Sequence, residues 1–180
     1  MEKFGLLGEK LGHSFSKEIH SMFFKITGKN AEYDLIEKKY NEIEELLNEM
    51  KTGKYKGINV TIPYKVEIMQ YLDEVSPEAK KIGAVNTVIL KDNKLIGENT
   101  DYFGFGKTLK VNGIEVKDRK VLILGTGGAA KSVYSLLADE EADRIYVATI
   151  LENDMFKVRK YDRLLNYSEI RNIKSVDLIV

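Results

Sequence analysis

One segment in the second half of the chain limits the folds that this sequence can adopt. Residues 120–124 form a short apolar run without polar alternation, which is typical of a parallel strand buried on both faces. The stretch 125–130 follows at once and reads G-T-G-G-A-A, and a helical pattern continues over residues 129–138. Strand-like and helix-like segments then alternate to residue 180, and this order predicts a parallel sheet with right-handed crossovers.

The glycine stretch fits the pattern G-x-G-x-x-[GA] of dinucleotide-binding loops. Gly125 would allow the tight turn, Gly127 would let a pyrophosphate approach the backbone, and the small Ala130 would allow close packing of helix and strand. The free N–H groups at the start of the helix favour an anion there. The loop therefore predicts a cradle for the phosphates of a dinucleotide. The candidate residues are Gly125, Thr126, Gly127, Gly128, Ala129 and Ala130.

Two other interpretations of this loop stay open. It could be an ordinary strand-to-helix turn of an α/β protein. Residues 125–132 also come within one residue of a P-loop, in which Lys131 and Ser132 would hold nucleotide phosphates and Mg²⁺. Ala130 in place of the second glycine weakens that interpretation. Asp177 weakens it too, because it starts the last apolar run instead of ending it.

The amino-acid composition excludes several classes of protein. The chain has 28 basic and 28 acidic residues, whereas a general nucleic-acid binder needs a basic surplus. The lack of cysteine excludes disulfides, zinc–thiolate sites and a cysteine nucleophile, and His13 and His20 have no clustered acid to suggest a metal site. We find no apolar stretch near the ~18 residues that span a membrane. A cytoplasmic protein without nucleic-acid or membrane partners is therefore expected.

The remaining pattern alternates short strands with longer helices. Ser16 and Asp101 are predicted to cap helices, and residues 155–171 read as a helical or irregular stretch. Strands are predicted over residues 3–8, 31–37, 57–62, 85–90, 95–98, 144–149 and 176–180, and helices over residues 16–27, 40–51, 65–72, 77–83 and 102–112.

Polar side chains collect at strand ends and turns of the first half, where sites are commonly built. They lie in residues 12–16, 59–65, 83–87 and 99–101. Period-two alternation places Asn59 and Thr61 on one face of a strand. Hydroxyls and amides of this kind could hold a polyhydroxylated acid, and one Lys and one Asp could move its proton. Taken singly, each of these residues is better explained as a helix cap, a turn residue or an exposed surface residue.

These four segments, in this order and followed by the glycine loop, resemble the shikimate dehydrogenase family. The matching stretches are GEKLGHSFSKEIH at 8–20, GINVTIPYK at 57–65, GAVNTV at 83–88 and GENTDYFGF at 97–105. The resemblance implies a reversible reaction in which 3-dehydroshikimate and NADPH give shikimate and NADP⁺, a step of aromatic amino-acid synthesis. It also implies an α/β protein with an N-terminal substrate-binding domain over residues 1–103 and a partial Rossmann-like NAD(P)-binding domain over residues 104–180.

The resemblance assigns roles to individual residues. Lys65 would be the catalytic acid/base, paired with Asp101. A lysine removes a hydroxyl proton near neutral pH only where desolvation or a cation lowers its pKa, and a carboxylate acts in the opposite sense. Asp101 would therefore orient the hydroxyl or shuttle the proton. The candidate substrate residues are Ser14 and Ser16 for the carboxylate, Thr61, Asn86 and Asp101 for the ring hydroxyls, and Asn59.

One departure from the family pattern concerns the cofactor. The family has Asn-Arg-Thr or Asn-Arg-Ser after the second strand of the cofactor domain, and the Arg pairs with the 2′-phosphate of NADP. Thr149 and Ile150 stand at those places here. NADP is the expected cofactor and NAD is an alternative, as in the quinate/shikimate type, although the Asp favoured by that type is missing too. Nearby charges are Glu152 and Asp154, which could reach a ribose hydroxyl, and Lys157, Arg159 and Lys160, which could meet a 2′-phosphate or simply be solvated.

A second departure concerns length. Family members continue beyond the segment that matches residues 177–180, into further strands and a C-terminal helix that packs on the substrate domain. We therefore expect a domain and a half, as a monomer or homodimer. An alternative function is a catalytically impaired chain, or a binder of a shikimate-like acid that does not reduce it.

Overall fold

The computed structural model describes residues 1–152 and 154–180. These residues form two compact units, Met1–Thr100 and Asp101–Val180. The α/β class predicted from the sequence is confirmed in both.

The first unit is built on a six-stranded mixed sheet. The strand order is β2-β1-β3-β5-β6-β4, with β1 parallel to β2 and β3, and β5 antiparallel to β3 and β6. Its elements are β1 (Glu2–Gly8), α1 (Ser16–Thr27), β2 (Ala31–Glu37), α2 (Ile43–Lys51), β3 (Gly57–Val60), β4 (Glu74–Val75), α3 (Pro77–Ile82), β5 (Thr87–Lys91) and β6 (Lys94–Glu98), with 3₁₀ turns at Tyr40–Glu42 and Glu67–Tyr71.

Helix α2 supplies much of the core of this unit. Ile43, Leu46, Leu47 and Met50 follow helical spacing and are almost completely buried in one cluster with residues of the sheet. Full burial of such side chains contributes roughly 1.5–3 kcal/mol each, which fixes α2 against the sheet.

The second unit is built on a four-stranded parallel sheet with the order β10-β7-β8-β9. Val121 and Ile123 of β7 face one apolar cluster and Leu122 faces another. The prediction of a strand buried on both faces is therefore confirmed. The elements are α4 (Thr100–Val111), which begins at the last residue of the first unit, β7 (Lys120–Leu124), α5 (Gly128–Asp139), β8 (Arg144–Thr149), β9 (Arg163–Asn166) and β10 (Leu178–Ile179), with a 3₁₀ turn at Tyr167–Asn172.

The region after β8 differs from the prediction of one helical or irregular stretch. Residues 163–166 form strand β9, and the described residues of the crossover from 150 to 162 form neither helix nor strand. Asp162 holds this crossover, since its carboxylate accepts from the Ile145 N–H at 2.8 Å, the Tyr134 hydroxyl at 2.7 Å and Arg159 Nε at 2.7 Å. This fully buried carboxylate, with all these partners, ties the crossover to α5 and to the start of β8.

Several predicted element ends are also wrong. Ser16 is the first residue of α1 and not its cap, and its N–H donates to Ser14 Oγ at 3.2 Å. Helix α4 begins at Thr100, so Asp101 lies in its first turn and does not cap it. The Thr100 N–H donates instead to Asn86 Oδ1 at 2.9 Å, a partner from another segment that no local pattern could reveal. Strand β3 ends at Val60, two residues before the predicted end at Ile62.

Candidate active site

Sheet topology brings the four polar segments of the first unit to one edge. The ends of β1 and β3 lie side by side because these strands are parallel, with Leu7 opposite Val60. Since β5 runs the other way, its first residue Thr87 lies opposite Asn59, and the last residue of β6, Glu98, lies opposite Thr87. Residues that follow β1, β3 and β6 or precede β5 therefore share this edge.

Ser14 and Ser16 stand at the start of α1, and both are half-buried. The Ser14 N–H donates to the Leu11 carbonyl at 2.8 Å, and the Leu11 N–H donates to Glu37 Oε1 at 2.7 Å, which ties the turn to the end of β2. The first N–H groups of a helix carry partial positive charge, so two hydroxyls beside them suit a carboxylate ligand.

Asn86 is buried and lies at the centre of a polar network. Its Oδ1 accepts from the Thr100 N–H at 2.9 Å and from the Thr87 hydroxyl at 3.0 Å, and its Nδ2 donates to Thr100 Oγ1 at 2.9 Å. Its own N–H and carbonyl pair with Glu98 and Val60. Thr87 and Thr100 thus hold the side-chain amide in one orientation, and the backbone bonds fix the position of the residue.

Asn59 joins the same network through Thr87 and is also held by Tyr33, a residue that the sequence analysis did not select. Tyr33 donates its hydroxyl hydrogen to Asn59 Oδ1 at 2.7 Å, and Asn59 Nδ2 donates to Thr87 Oγ1 at 3.2 Å. Burial raises the pKa of Tyr33, so its hydroxyl stays protonated and remains a donor. His20 stacks on the Tyr33 ring at a centroid distance of 4.0 Å.

Thr61 and Lys65 lie in the turn that follows β3 at this edge. The Thr61 N–H donates to the Leu7 carbonyl at 2.9 Å, and the Lys65 carbonyl accepts from the Val85 N–H at 2.7 Å. A Cβ at Gly8 would lie 2.9 Å from the Thr61 methyl group, so glycine at that position permits the close approach of the turn. Both Thr61 and Lys65 are half-buried. Asp101, the proposed partner of Lys65, is half-buried in the first turn of α4, in the second unit.

The second unit carries the glycine loop between β7 and α5. Gly125 has a φ of +112°, a conformation that favours glycine, and its N–H donates to the Ala148 carbonyl at 2.9 Å. Gly127 caps α5 without a side chain, and a Cβ placed on it would meet no atom within 4 Å. The position beside Gly127 is therefore open, and the first N–H groups of α5 are of the kind that favours an anion.

Thr126 and Thr149 are joined by a residue of the crossover after β8. Asp154 Oδ2 accepts from Thr126 Oγ1 at 2.5 Å and from Thr149 Oγ1 at 2.7 Å, and Oδ1 accepts from the Phe156 N–H at 2.9 Å. Thr149 is buried at the end of β8. The sequence suggested Asp154 as one of several nearby charges, and the structure shows that it braces the glycine loop.

The P-loop interpretation loses support in the structure. Ser132 is buried and its hydroxyl donates to the Gly128 carbonyl at 3.3 Å. Asp177 Oδ2 accepts from the Lys120 N–H at 2.8 Å, at the opposite end of β7 from the loop. Within residues 1–152 and 154–180, no group of three or more His, Asp or Glu side chains could hold a metal ion. No helix in the same residues is both long and apolar enough to cross a bilayer.

Comparison with known proteins identifies relatives over nearly the whole chain. Residues 6–88 match the family model described as the shikimate dehydrogenase substrate binding domain. A curated relative from Clostridium beijerinckii, named shikimate dehydrogenase (NADP(+)), is 46% identical over 181 residues, which cover 99% of this chain and 67% of the relative.

Solved structures show the same similarity. The structure of shikimate dehydrogenase 1 from Peptoclostridium difficile has a TM-score of 0.92 and 42% identity, covering 99% of this chain and 66% of that one. The Listeria monocytogenes shikimate 5-dehydrogenase, solved in complex with shikimate and NAD, has a TM-score of 0.83 and 28% identity, covering 96% and 63% of the two chains. The present chain thus spans about two thirds of the length of these relatives.

Proposed function

Because this chain belongs to the shikimate dehydrogenase family, we propose that it catalyses the reversible reduction of 3-dehydroshikimate to shikimate with a nicotinamide dinucleotide. NADP is the cofactor in the name of the curated relatives, and NADP and NAD are both candidates for this chain. The observation that carries the proposal is the convergence of Ser14, Thr61, Lys65 and Asn86 at one edge of the first sheet. We also propose a cytoplasmic enzyme that is a monomer or homodimer.

The proposed substrate contacts follow from the chemistry of each side chain. The hydroxyls of Ser14 and Ser16, at the start of α1, would donate to the carboxylate of shikimate. Thr61, Asn59 and Asn86 would hold ring hydroxyls. The network around Asn86 keeps its amide in one orientation before a ligand arrives, which lowers the entropy lost on binding.

The proposed proton transfer belongs to Lys65. The bound dinucleotide would accept the hydride from the carbinol carbon during oxidation and return it during reduction. Lys65 Nζ would accept the hydroxyl proton as the carbonyl forms, and would return that proton to the oxygen in the reverse direction. Asp101, the proposed partner, would orient the hydroxyl or pass the proton on.

Lys65→Ala is the test of this assignment. The variant should lower kcat for shikimate oxidation at least about 100-fold, the usual contribution of a general acid or base, while shikimate still binds. Turnover is followed by the absorbance of the reduced dinucleotide, and binding by calorimetry. Lys80→Ala, which removes an exposed lysine of α3, is the matched control and should leave both unchanged.

The same measurements distinguish the proposed enzyme from the alternative, a chain that binds a shikimate-like acid without reducing it. Unchanged turnover in Lys65→Ala would refute the catalytic role of Lys65. Shikimate binding by the unmodified chain without turnover on either dinucleotide would favour a non-catalytic binder of a shikimate-like acid.

A further inference from the structure

Asp154 places a carboxylate beside both parts of the chain that the proposed function assigns to the dinucleotide. One oxygen accepts from Thr126 of the glycine loop and from Thr149 at the end of β8. The other accepts from the Phe156 N–H. A carboxylate has about four acceptor positions, and these contacts use three, so Oδ1 can accept one more hydrogen bond.

This carboxylate is charged at neutral pH. Partial burial acts to raise the pKa of Asp154, but its hydrogen bonds with Thr126, Thr149 and Phe156, together with the Lys131 charge, outweigh burial and lower that pKa. The two threonines also hold the group in place. The negative charge is therefore fixed at the carboxyl end of β8.

The surroundings of Asp154 provide little positive charge for an anion. Residues 149–156 contain no Lys or Arg, and the exposed Ile150 and Leu151 follow Thr149 directly. Of the basic residues that come next, Arg159 is paired with Asp162, and Lys157 and Lys160 are exposed. A cavity of about 420 Å³ beside this strand end is lined in the described part of the chain by the acidic residues Glu152, Asp154 and Glu169 and by no basic residue. Lys131, in the first turn of α5, is the cation whose charge reaches Asp154, and the carboxylate offsets it.

In dinucleotide-binding sheets of this type, the adenosine ribose lies beside the end of the second strand. An acidic side chain there binds the 2′-hydroxyl of NAD, whereas a basic one accommodates the 2′-phosphate of NADP. In this chain the second strand is β8, and the group fixed at its end is a carboxylate.

We propose that Asp154 determines the choice of dinucleotide in this chain, by accepting a hydrogen bond from the ribose 2′-hydroxyl of NAD and repelling the 2′-phosphate of NADP. The inference rests on the proposed function. It predicts that the chain binds NAD at least as tightly as NADP, although curated relatives are named for NADP(+). The Listeria relative solved with NAD shows that a family member can hold this dinucleotide.

The test measures the Kd of both dinucleotides by calorimetry on the full chain, without turnover. Asp154→Asn keeps the size of the side chain and removes the charge. It should shift the ratio of the two affinities toward NADP by about tenfold, the effect of one charge near a phosphate close to the protein surface. Asp143→Asn removes an exposed charge just before β8, at its other end, and should not change the ratio.

A second variant adds the missing cation. Ile150→Arg, at a side chain that is 78% exposed, should also increase NADP affinity relative to NAD without disturbing the core. If the ratio of the two affinities shifts toward NADP in both variants, the proposal for Asp154 is supported. This holds even if the chain does not turn over shikimate and the proposed function is wrong. An equal loss of both affinities in Asp154→Asn would mean that Asp154 only braces the loop, and would overturn the proposal. NADP binding more than tenfold tighter than NAD in the unmodified chain would overturn it as well, and binding of neither dinucleotide would overturn both proposals.

Discussion

The polar edge of the first unit and the glycine loop of the second offer binding groups of different kinds. At the polar edge, side chains distant in sequence form a chain of hydrogen bonds that runs through Tyr33, Asn59, Thr87, Asn86 and Thr100. In the loop, the space beside Gly127 is open, and the binding groups on offer are the backbone N–H groups at the start of α5. Stability and binding should therefore be coupled at the polar edge and separable in the loop.

The strongest test of this coupling is Asn86→Ala. The change removes the acceptor for the Thr100 N–H and the donor to Thr100 Oγ1, at a buried position. We expect a loss of about 2–3 kcal/mol in the free energy of unfolding, with loss of shikimate binding. Urea denaturation and calorimetry measure the two effects. Asn48→Ala, on the exposed face of α2, should lose neither, and a stable variant that no longer binds shikimate would show that the coupling is absent.

A smaller effect is expected from Tyr33→Phe. The ring keeps its stack on His20, but Asn59 Oδ1 loses the donor at 2.7 Å. The free energy of unfolding should fall by about 1 kcal/mol, and shikimate affinity should fall with it because Asn59 is no longer held in one orientation. Tyr161→Phe, at a ring that is 53% exposed, is the matched control in the second unit. Reduced stability with unchanged shikimate affinity would separate Tyr33 from the substrate site.

Gly127→Ala should have the smallest effect on stability, together with a large effect on dinucleotide affinity. The φ of −67° suits alanine, and the new methyl group meets no protein atom within 4 Å. The free energy of unfolding should change by less than about 0.5 kcal/mol. Dinucleotide affinity should nevertheless fall at least tenfold, which corresponds to about 1.4 kcal/mol of binding free energy. The reason is that the methyl group would occupy the space through which the pyrophosphate approaches the backbone.

The control for that variant lies in α4. Gly104→Ala also adds a methyl group without contacts within 4 Å, and in a helix it should raise stability by about 0.5–1 kcal/mol while dinucleotide affinity is unchanged. Thermal denaturation and calorimetry on both variants test the comparison. Unchanged dinucleotide affinity in Gly127→Ala would show that the pyrophosphate does not approach this glycine.

Features formed by residues close together in the sequence could be predicted, whereas contacts between distant residues could not. The buried strand β7 and the loop from Gly125 to Ala130 are contiguous, so spacing alone predicted them. The contact of Tyr33 with Asn59 joins residues 26 positions apart through two parallel strand pairings, and linear spacing does not contain that register. Strand β9 was missed because Leu164 and Leu165 are adjacent and give no alternation.

The contacts of Asp162 determine how one amide hydrogen of the second unit can exchange with solvent. The Ile145 N–H is held by this side chain and not by a neighbouring strand, and the same carboxylate orders the crossover from 150 to 162. Exchange of that amide hydrogen with solvent therefore requires the crossover to detach, while β8 can stay paired with β7. A single amide hydrogen in the middle of a parallel sheet thus reports the local unfolding of a segment outside it.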